Sequence, residues 1–490
     1  MRAAWLGVFA IGLGCRAPTA TEPSVPPSPL PEPIGVAPAG DNPRAPRASA
    51  TARPALALPD DAPPPIVAPL LAEVSPERLR ETVDRLAAFG TRHTLSAEAP
   101  DRGIVAAREW IAAQMHEAAV ADRPGGALTV ELDVHRIEPD GRRIDRAVDV
   151  VNVVAILPGA EPSAARRRYY VIGHYDSRNS DPMDRKGDAP GANDDGSGTA
   201  VVLELARVLA DQPLESTVVL MATAGEEQGL LGARAHAKAA RDGSVDVRAV
   251  LSNDIVGDPT APDGRRLDGQ VRVFSEGMPR AASEAEQAAI RSLGADNDAP
   301  SRQLARFVDF VGAWHQLSVT AALRFRPDRY LRGGDHTAFN EQGFAAVRLT
   351  EMAENYDRQH QDLRREGARD FGDRPEYVDA SYLADVARLN LATLVHLANA
   401  PSAPPNARVL AAELTTDTTV RWDASPEPDV AGYEVVWRST TDAQWTSARW
   451  VEGSTELTLP YSKDDWQFGV RAVDHDGFRS PVQFATSGTR

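Results

Sequence analysis

The run Tyr169-Tyr170-Val171-Ile172-Gly173-His174-Tyr175-Asp176, followed after a polar loop by Gly191-Ala192-Asn193-Asp194-Asp195-Gly196, decides the fold. Its opening residues are β-branched and aromatic with no turn former among them, which predicts a buried strand. His174 and Asp176 are two apart on extended chain, so both project from the same face of the strand end. One can ligate a metal while the other, after a bend, fixes the imidazole tautomer.

On either side, strands and helices alternate. Leu70, Leu71, Val74, Leu79, Val83, Leu86 and Phe89 recur at helical steps, and residues 103–118 carry Ile104, Ala107, Ile111 and Met115 in the same way. Strands are expected at 128–136, 148–157, 216–224, 247–255 and 345–352. Helices are expected from about Gly198, over 230–241 and over 382–400. Such alternation means an α/β fold, a three-layer α/β/α arrangement with a mixed sheet that is mainly parallel in its centre. Ligands of these sheets gather at the carboxyl ends of strands.

Those ends carry the chemistry. Strand 216–224 runs into Gly225-Glu226-Glu227, strand 247–255 holds Asp254, and Gly333-Gly334-Asp335-His336 follows further on. Singly, each has an ordinary explanation: Asp194-Asp195-Gly196 reads as a turn and helix cap, and Glu226-Glu227 as an exposed acidic pair. Jointly, His174, Asp194, Glu227, Asp254 and His336 supply two imidazoles and three carboxylates, one able to bridge. That is the ligand set of a two-metal centre with ions roughly 3.5–4 Å apart. Nitrogen and oxygen donors without thiolate suit Zn²⁺ first, then Mn²⁺ or Co²⁺.

The runs Gly-His174-Tyr-Asp176-Ser, Gly-Ala-Asn-Asp194-Asp-Gly-Ser-Gly, Gly-Glu226-Glu227-Gln-Gly-Leu-Leu-Gly, Ser-Asn-Asp254 and Gly-Gly-Asp-His336 resemble the family-28 zinc metallopeptidases of the bacterial aminopeptidase type, over about residues 70–400. The resemblance implies two Zn²⁺ per catalytic domain, with Asp194 bridging, His174 and Asp254 on one ion, and Glu227 and His336 on the other. It further implies Glu226 as general base, Asp176 orienting His174, and a cis peptide between Asp194 and Asp195. The family often has a His and a nearby Asp in this region that help close the pocket, which His360 and Asp362 match; a polar loop without function is the alternative reading, and neither residue belongs to the core set. Carboxylates near the metals can hold a substrate α-ammonium, so an aminopeptidase acting on peptide or protein substrates is the leading expectation. The alternatives are a carboxypeptidase, with Arg324, Arg326, Arg329 or Arg332 facing the substrate carboxylate, a one-metal glutaminyl cyclase of similar architecture, and a binding protein on an inactive peptidase fold.

The chain has 490 residues, 42% apolar and 25% charged, with a net charge of −17. This balance is that of a globular protein and argues against nucleic acid or an anionic membrane surface as partner. Four segments are expected. Residues 1–15, with Arg2, an apolar run from Ala3 to Gly14 and then Cys15, are laid out as a signal peptide. Cys15 is the only cysteine, so no intramolecular disulfide forms. Its position resembles a bacterial lipoprotein signal, departing from it at Gly12 where Leu is usual. An exported protein is expected, held in the cell envelope through a lipid on Cys15 or secreted. Residues 16–66 are rich in Pro and Ala and are expected to be a disordered tether. Residues 67–400 form the catalytic domain. Residues 401–490 alternate with period two and are expected to form a small all-β immunoglobulin-like sandwich. This module resembles a fibronectin type III domain through Trp422, Tyr433 and the run 466–473, with Trp466 where Tyr is usual. Its expected role is spacing or attachment to a polymer or surface.

Overall fold

The computed structural model describes residues 56–96, 99–119, 127–412 and 414–488. The expected signal peptide, Cys15 and most of the tether lie outside these residues. Among the described residues, no helix is long and apolar enough to cross a membrane.

The first helical pattern divides in two, Val67–Glu73 (α1) and Pro76–Ala88 (α2). Ser75 causes the break. Its side chain accepts the Arg78 N–H at 3.2 Å and Pro76 occupies the first position of α2, an arrangement that begins a new helix. Gly103–Ala118 (α3) follows. The body then runs Thr129–Ile137 (β1), Val148–Leu157 (β2), Arg167–His174 (β3), Gly196–Leu209 (α4), Thr217–Thr223 (β4), Leu231–Asp242 (α5) and Asp246–Asn253 (β5). It continues Gln270–Ser275 (β6), Glu284–Ser292 (α6), Pro300–Trp314 (α7), Thr320–Arg324 (β7), His336–Glu341 (α8) and Ala346–Thr350 (β8). A short hairpin, Arg364–Glu366 (β9) and Arg369–Phe371 (β10), leads to the closing helix Ala380–Asn399 (α9).

The eight-stranded sheet has the order β1-β2-β4-β3-β5-β8-β6-β7. β4, β3, β5 and β8 are mutually parallel, while β1 and β2 on one side and the β6–β8 pairing on the other are antiparallel. Both faces are covered. Tyr169 and Val171 of β3 pack into a core with α2, α3, α4, α7 and α9, and Tyr170 and Ile172 into a second core with α5 and α8. Burial on both sides is why this strand reads as an unbroken apolar run rather than an alternating one.

The C-terminal module is a sandwich of two four-stranded sheets. One joins Glu456–Leu459 (β15), Thr418–Arg421 (β12), Arg408–Leu410 (β11) and Thr486–Gly488 (β18); the other joins Ser447–Val451 (β14), Val430–Ser439 (β13), Trp466–Asp474 (β16) and Gln483–Phe484 (β17). Trp422 is buried at its centre, edge-on to Tyr433 at 5.5 Å. Trp466 packs against Tyr461 at 5.1 Å.

The end of the expected tether is not loose. Ala57 N donates to the Trp445 carbonyl at 3.0 Å, Asp61 pairs with Arg479 at 3.0 Å, and the Asp61 carbonyl accepts from Trp314 Nε1 at 3.1 Å. A Pro-rich stretch without periodicity is held here by partners on both the body and the sandwich, which local sequence does not reveal.

Candidate metal centre

His174 ends β3, and its backbone N–H donates to Asp195 Oδ2 at 3.0 Å. The other Asp195 oxygen caps α4, accepting the Gly198 N–H at 2.8 Å. The strand end and the helix start touch backbone to backbone: a Cβ on Gly173 would lie 2.5 Å from the Gly198 carbonyl carbon. Only glycine fits at that crossing, which accounts for the small-residue spacing after Asp195. The Asp194–Asp195 peptide is cis.

Two donor groups form beside this crossing. His174, Asp194 and Asp254 offer one atom each within 4.8 Å of one another, and so do Asp194, Glu227 and His360. Asp194 belongs to both. Among the described residues the buried His174 Nε2 has no hydrogen-bond partner, yet it lies 3.2 Å from Asp194 Oδ1 and 3.9 Å from Asp254 Oδ1. A buried imidazole nitrogen facing two carboxylate oxygens fits a cation ligand, and the donor set of imidazole and carboxylate fits zinc. His360 Nε2 sits 2.9 Å from Asp194 Oδ2 and 3.0 Å from Glu227 Oε1.

One expected ligand stands outside both groups. His336 is not drawn into either group. It starts α8, its Nε2 lies 2.8 Å from the Pro327 carbonyl, and the nearest carboxylate oxygen, on Asp328, is 3.7 Å away. Burial lowers its pKa from the ordinary value, whereas His174 is held well above it: burial opposes the charge there, but Asp176, Asp194 and Asp254 outweigh it. His360 stands in the second group instead. Burial opposes its charge too, and the Glu227 and Asp194 carboxylates raise it to about 10. The sequence singled out His360 as a pocket residue, but in a loop with a left-handed backbone (φ 49°) no periodicity marks it as a ligand.

Supports surround both groups. Asp176 lies beside the His174 ring, with Oδ1 3.5 Å and its carbonyl 3.1 Å from Nδ1. Its carboxylate also accepts the N–H groups of Glu226 and Glu227 at 3.2 and 3.1 Å, so one side chain sets both the imidazole and the acidic turn. Asp373, absent from the sequence reading, accepts the N–H of Asn193 at 2.9 Å and of Asp194 at 2.7 Å. Arg178 Nε bonds Glu227 at 2.9 Å, and the buried Arg348 bonds Asp254 at 2.8 Å. Glu226 is in neither donor group and lines the same cleft, of about 500 Å³. Burial, with Asp254, Glu227 and Asp335 adding to it, pushes its carboxyl well above the usual range. Ile255 follows Asp254 with φ 63°, a conformation that a β-branched residue seldom adopts and that is found most often where a site demands it.

The family description "Peptidase family M28" matches residues 152–374. A probable zinc metalloprotease of Pyrenophora teres f. teres is 43% identical over 418 residues, covering 85% of this chain and 86% of that protein. One of Leptosphaeria maculans is 44% identical over 420 residues, covering 86% and 96%. The chain belongs to peptidase family M28. This M28 protein is therefore a zinc metallopeptidase, a hydrolase of peptides or proteins. Among solved structures, the LapA aminopeptidase of Legionella pneumophila is similar at 18% identity and a TM-score of 0.47, covering 70% of this chain and 77% of that one. The glutaminyl cyclase of Fimbriiglobus ruber is similar at 20% identity and a TM-score of 0.45, covering 66% and 95%.

Proposed function

We propose that this M28 peptidase is a two-zinc exopeptidase that removes residues from the N-terminus of peptides. The observation that carries the reading is Asp194, a member of both donor groups, with Glu226 in the same cleft and outside both. His174 and Asp254 would hold one ion, Glu227 and His360 the other, and Asp194 both. When bound, such a pair supplies Lewis acidity that polarises a peptide carbonyl and makes a nearby water easier to deprotonate.

The chain's own groups do the rest. Glu226 takes a proton from the attacking water and returns it to the leaving nitrogen. Asp176 keeps the His174 ring and the Glu226-Glu227 turn in register, and Asp373 fixes the Asn193-Asp194 backbone. Carboxylates on the cleft floor also favour a substrate that enters with a free α-ammonium. The test is hydrolysis of aminoacyl-nitroanilides and of a peptide library before and after chelation. Trimming from the N-terminus, lost on chelation and restored by zinc, is expected; trimming from the other end, or cleavage surviving exhaustive chelation, rules the reading out.

We also propose that the protein is exported and anchored through Cys15, on the layout of its first fifteen residues. Mass analysis of the mature N-terminus, expected to begin at a lipidated Cys15, decides it.

A further inference from the structure

Six arginines line the cleft beside the floor carboxylates, Arg143, Arg178, Arg234, Arg280, Arg329 and Arg332. Several are committed to carboxylates. Arg178 bonds Glu227, and Arg234 pairs with Glu341 at 3.1 Å. Arg329 and Arg332 both bond Glu354 at 2.8 Å, which also accepts from Arg272 at 2.7 Å, and Arg329 bonds Asp328 at 3.1 Å as well. The remaining two are less engaged. Arg143 reaches only the Glu227 carbonyl oxygen and, among the described residues, pairs with no carboxylate. Arg280 has Glu276 at 3.8 Å, beyond hydrogen-bond distance, and its side chain is 42% exposed.

The acids of the cleft are all assigned. Asp194, Glu227 and Asp254 are metal donors, Glu226 is the proton carrier, and Glu341 is tied to Arg234. A substrate group that leaves the floor and meets the wall therefore meets guanidinium nitrogens with spare donors. Arginine's planar fork matches a carboxylate, and such charge-assisted bonds are the stronger kind.

We propose that the arginine wall, through Arg143 and Arg280 foremost, reads a carboxylate on the substrate next to the scissile bond, so that the enzyme prefers acidic peptides. This deepens the exopeptidase reading and rests on the same cleft. The carboxylate can come from an Asp or Glu side chain or from the C-terminus of a short peptide.

The two sources separate in one experiment. Zinc-loaded Glu226→Gln protein is titrated calorimetrically with short peptides that differ only as Glu against Gln at one of the first three positions, each with a free or an amidated C-terminus. Tenfold tighter binding of the Glu peptides is expected if the side chain is read, and tenfold tighter binding of the free acids if the terminus is read. In either case Arg143→Gln or Arg280→Gln lowers the preference to threefold or less, and raising the salt concentration erodes it. Equal affinity for Glu and Gln together with equal affinity for acid and amide overturns the proposal. So does a preference unchanged in both arginine variants. The library digest keeps the two readings apart: N-terminal trimming without acidic preference removes only the arginine wall, and a carboxylate preference without N-terminal trimming removes only the aminopeptidase.

Discussion

The cleft and the seam between the α/β body and the sandwich both bury charge, and they do it in different ways. At the centre of the seam the buried ions are paired. Asp298 bonds Arg438 at 2.7 Å and Arg306 at 3.1 Å, with all three side chains almost wholly buried. Arg167 bonds Glu427 at 2.7 Å across the same boundary. On the cleft floor the carboxylates Asp194, Glu226, Glu227 and Asp254 stand with the imidazoles of His174 and His360, which are raised in pKa there, and with the guanidiniums of Arg178 and Arg348. Taking a charge out of water costs several kcal/mol unless it is paired. Guanidinium–carboxylate pairs hold the joint between body and sandwich, whereas the floor pairs carboxylates with imidazoles, whose nitrogens can bind a metal ion in place of a proton.

The comparison breaks most visibly at Glu226. Glu226→Gln should leave the zinc content unchanged and lower turnover about 10²–10⁴-fold, the span of a lost general base. Zinc determination beside steady-state rates checks it, and unchanged turnover would remove the assignment. A sharper cut separates the two histidines. His360→Ala should lower the bound zinc, whereas His336→Ala should keep the wild-type zinc content and lose thermal stability instead, because its ring is a packed element of α8. The reverse pattern would restore His336 as a ligand. At the seam, Asp298→Asn strands two buried guanidiniums. Unfolding should become easier by about 3–5 kcal/mol, as for a broken buried pair, with zinc content unaffected. A loss below about 1 kcal/mol would mean that Asp298 does not hold the joint.

What the sequence revealed follows the same division. β3 was legible because both of its faces are buried and its residues are uniformly apolar, and β2 and α3 because their patterns are clean. The carboxylates that the fold brings together, Asp194, Glu227 and Asp254, are legible because each sits in a compact motif at or just after a strand end. Residues 256–344 gave almost nothing. In α7, Arg302, Arg306 and Asp309 are buried, since the sandwich or a neighbouring loop covers the polar side of the helix, and a charged stripe of that kind reads as solvent-facing until the covering module is seen. His336 misled for a related reason: Gly-Gly-Asp-His looks like a strand-end motif, but the residues open a helix whose neighbour Asp335 is taken up by Thr223. His360 carries no ligand signal in the sequence, because it meets Glu227 only through a loop that returns from 133 positions away.

The smallest effect expected concerns pH at the seam. Glu215, on the body, faces Asp429 and Asp474 of the sandwich. Burial first, then those two carboxylates, raise its pKa to about 7, and burial raises Asp474 to about 6. A carboxyl whose folded pKa lies above its unfolded one holds its proton more tightly in the native state. Its favourable contribution is complete below about 4.5 for Glu215 and disappears as pH rises through 7, where the group ionises beside two acids. The melting temperature should therefore drift downward between about pH 4.5 and 7.5, on top of any change from the cleft. Glu215→Gln removes the titrating proton and keeps the shape, so it should flatten part of that drift and leave the zinc content and the turnover where they are. A slope identical in wild type and Glu215→Gln would mean that the seam tolerates the ionised group, and that its balance of charge extends to the acids at its edge as well as to the pairs at its centre.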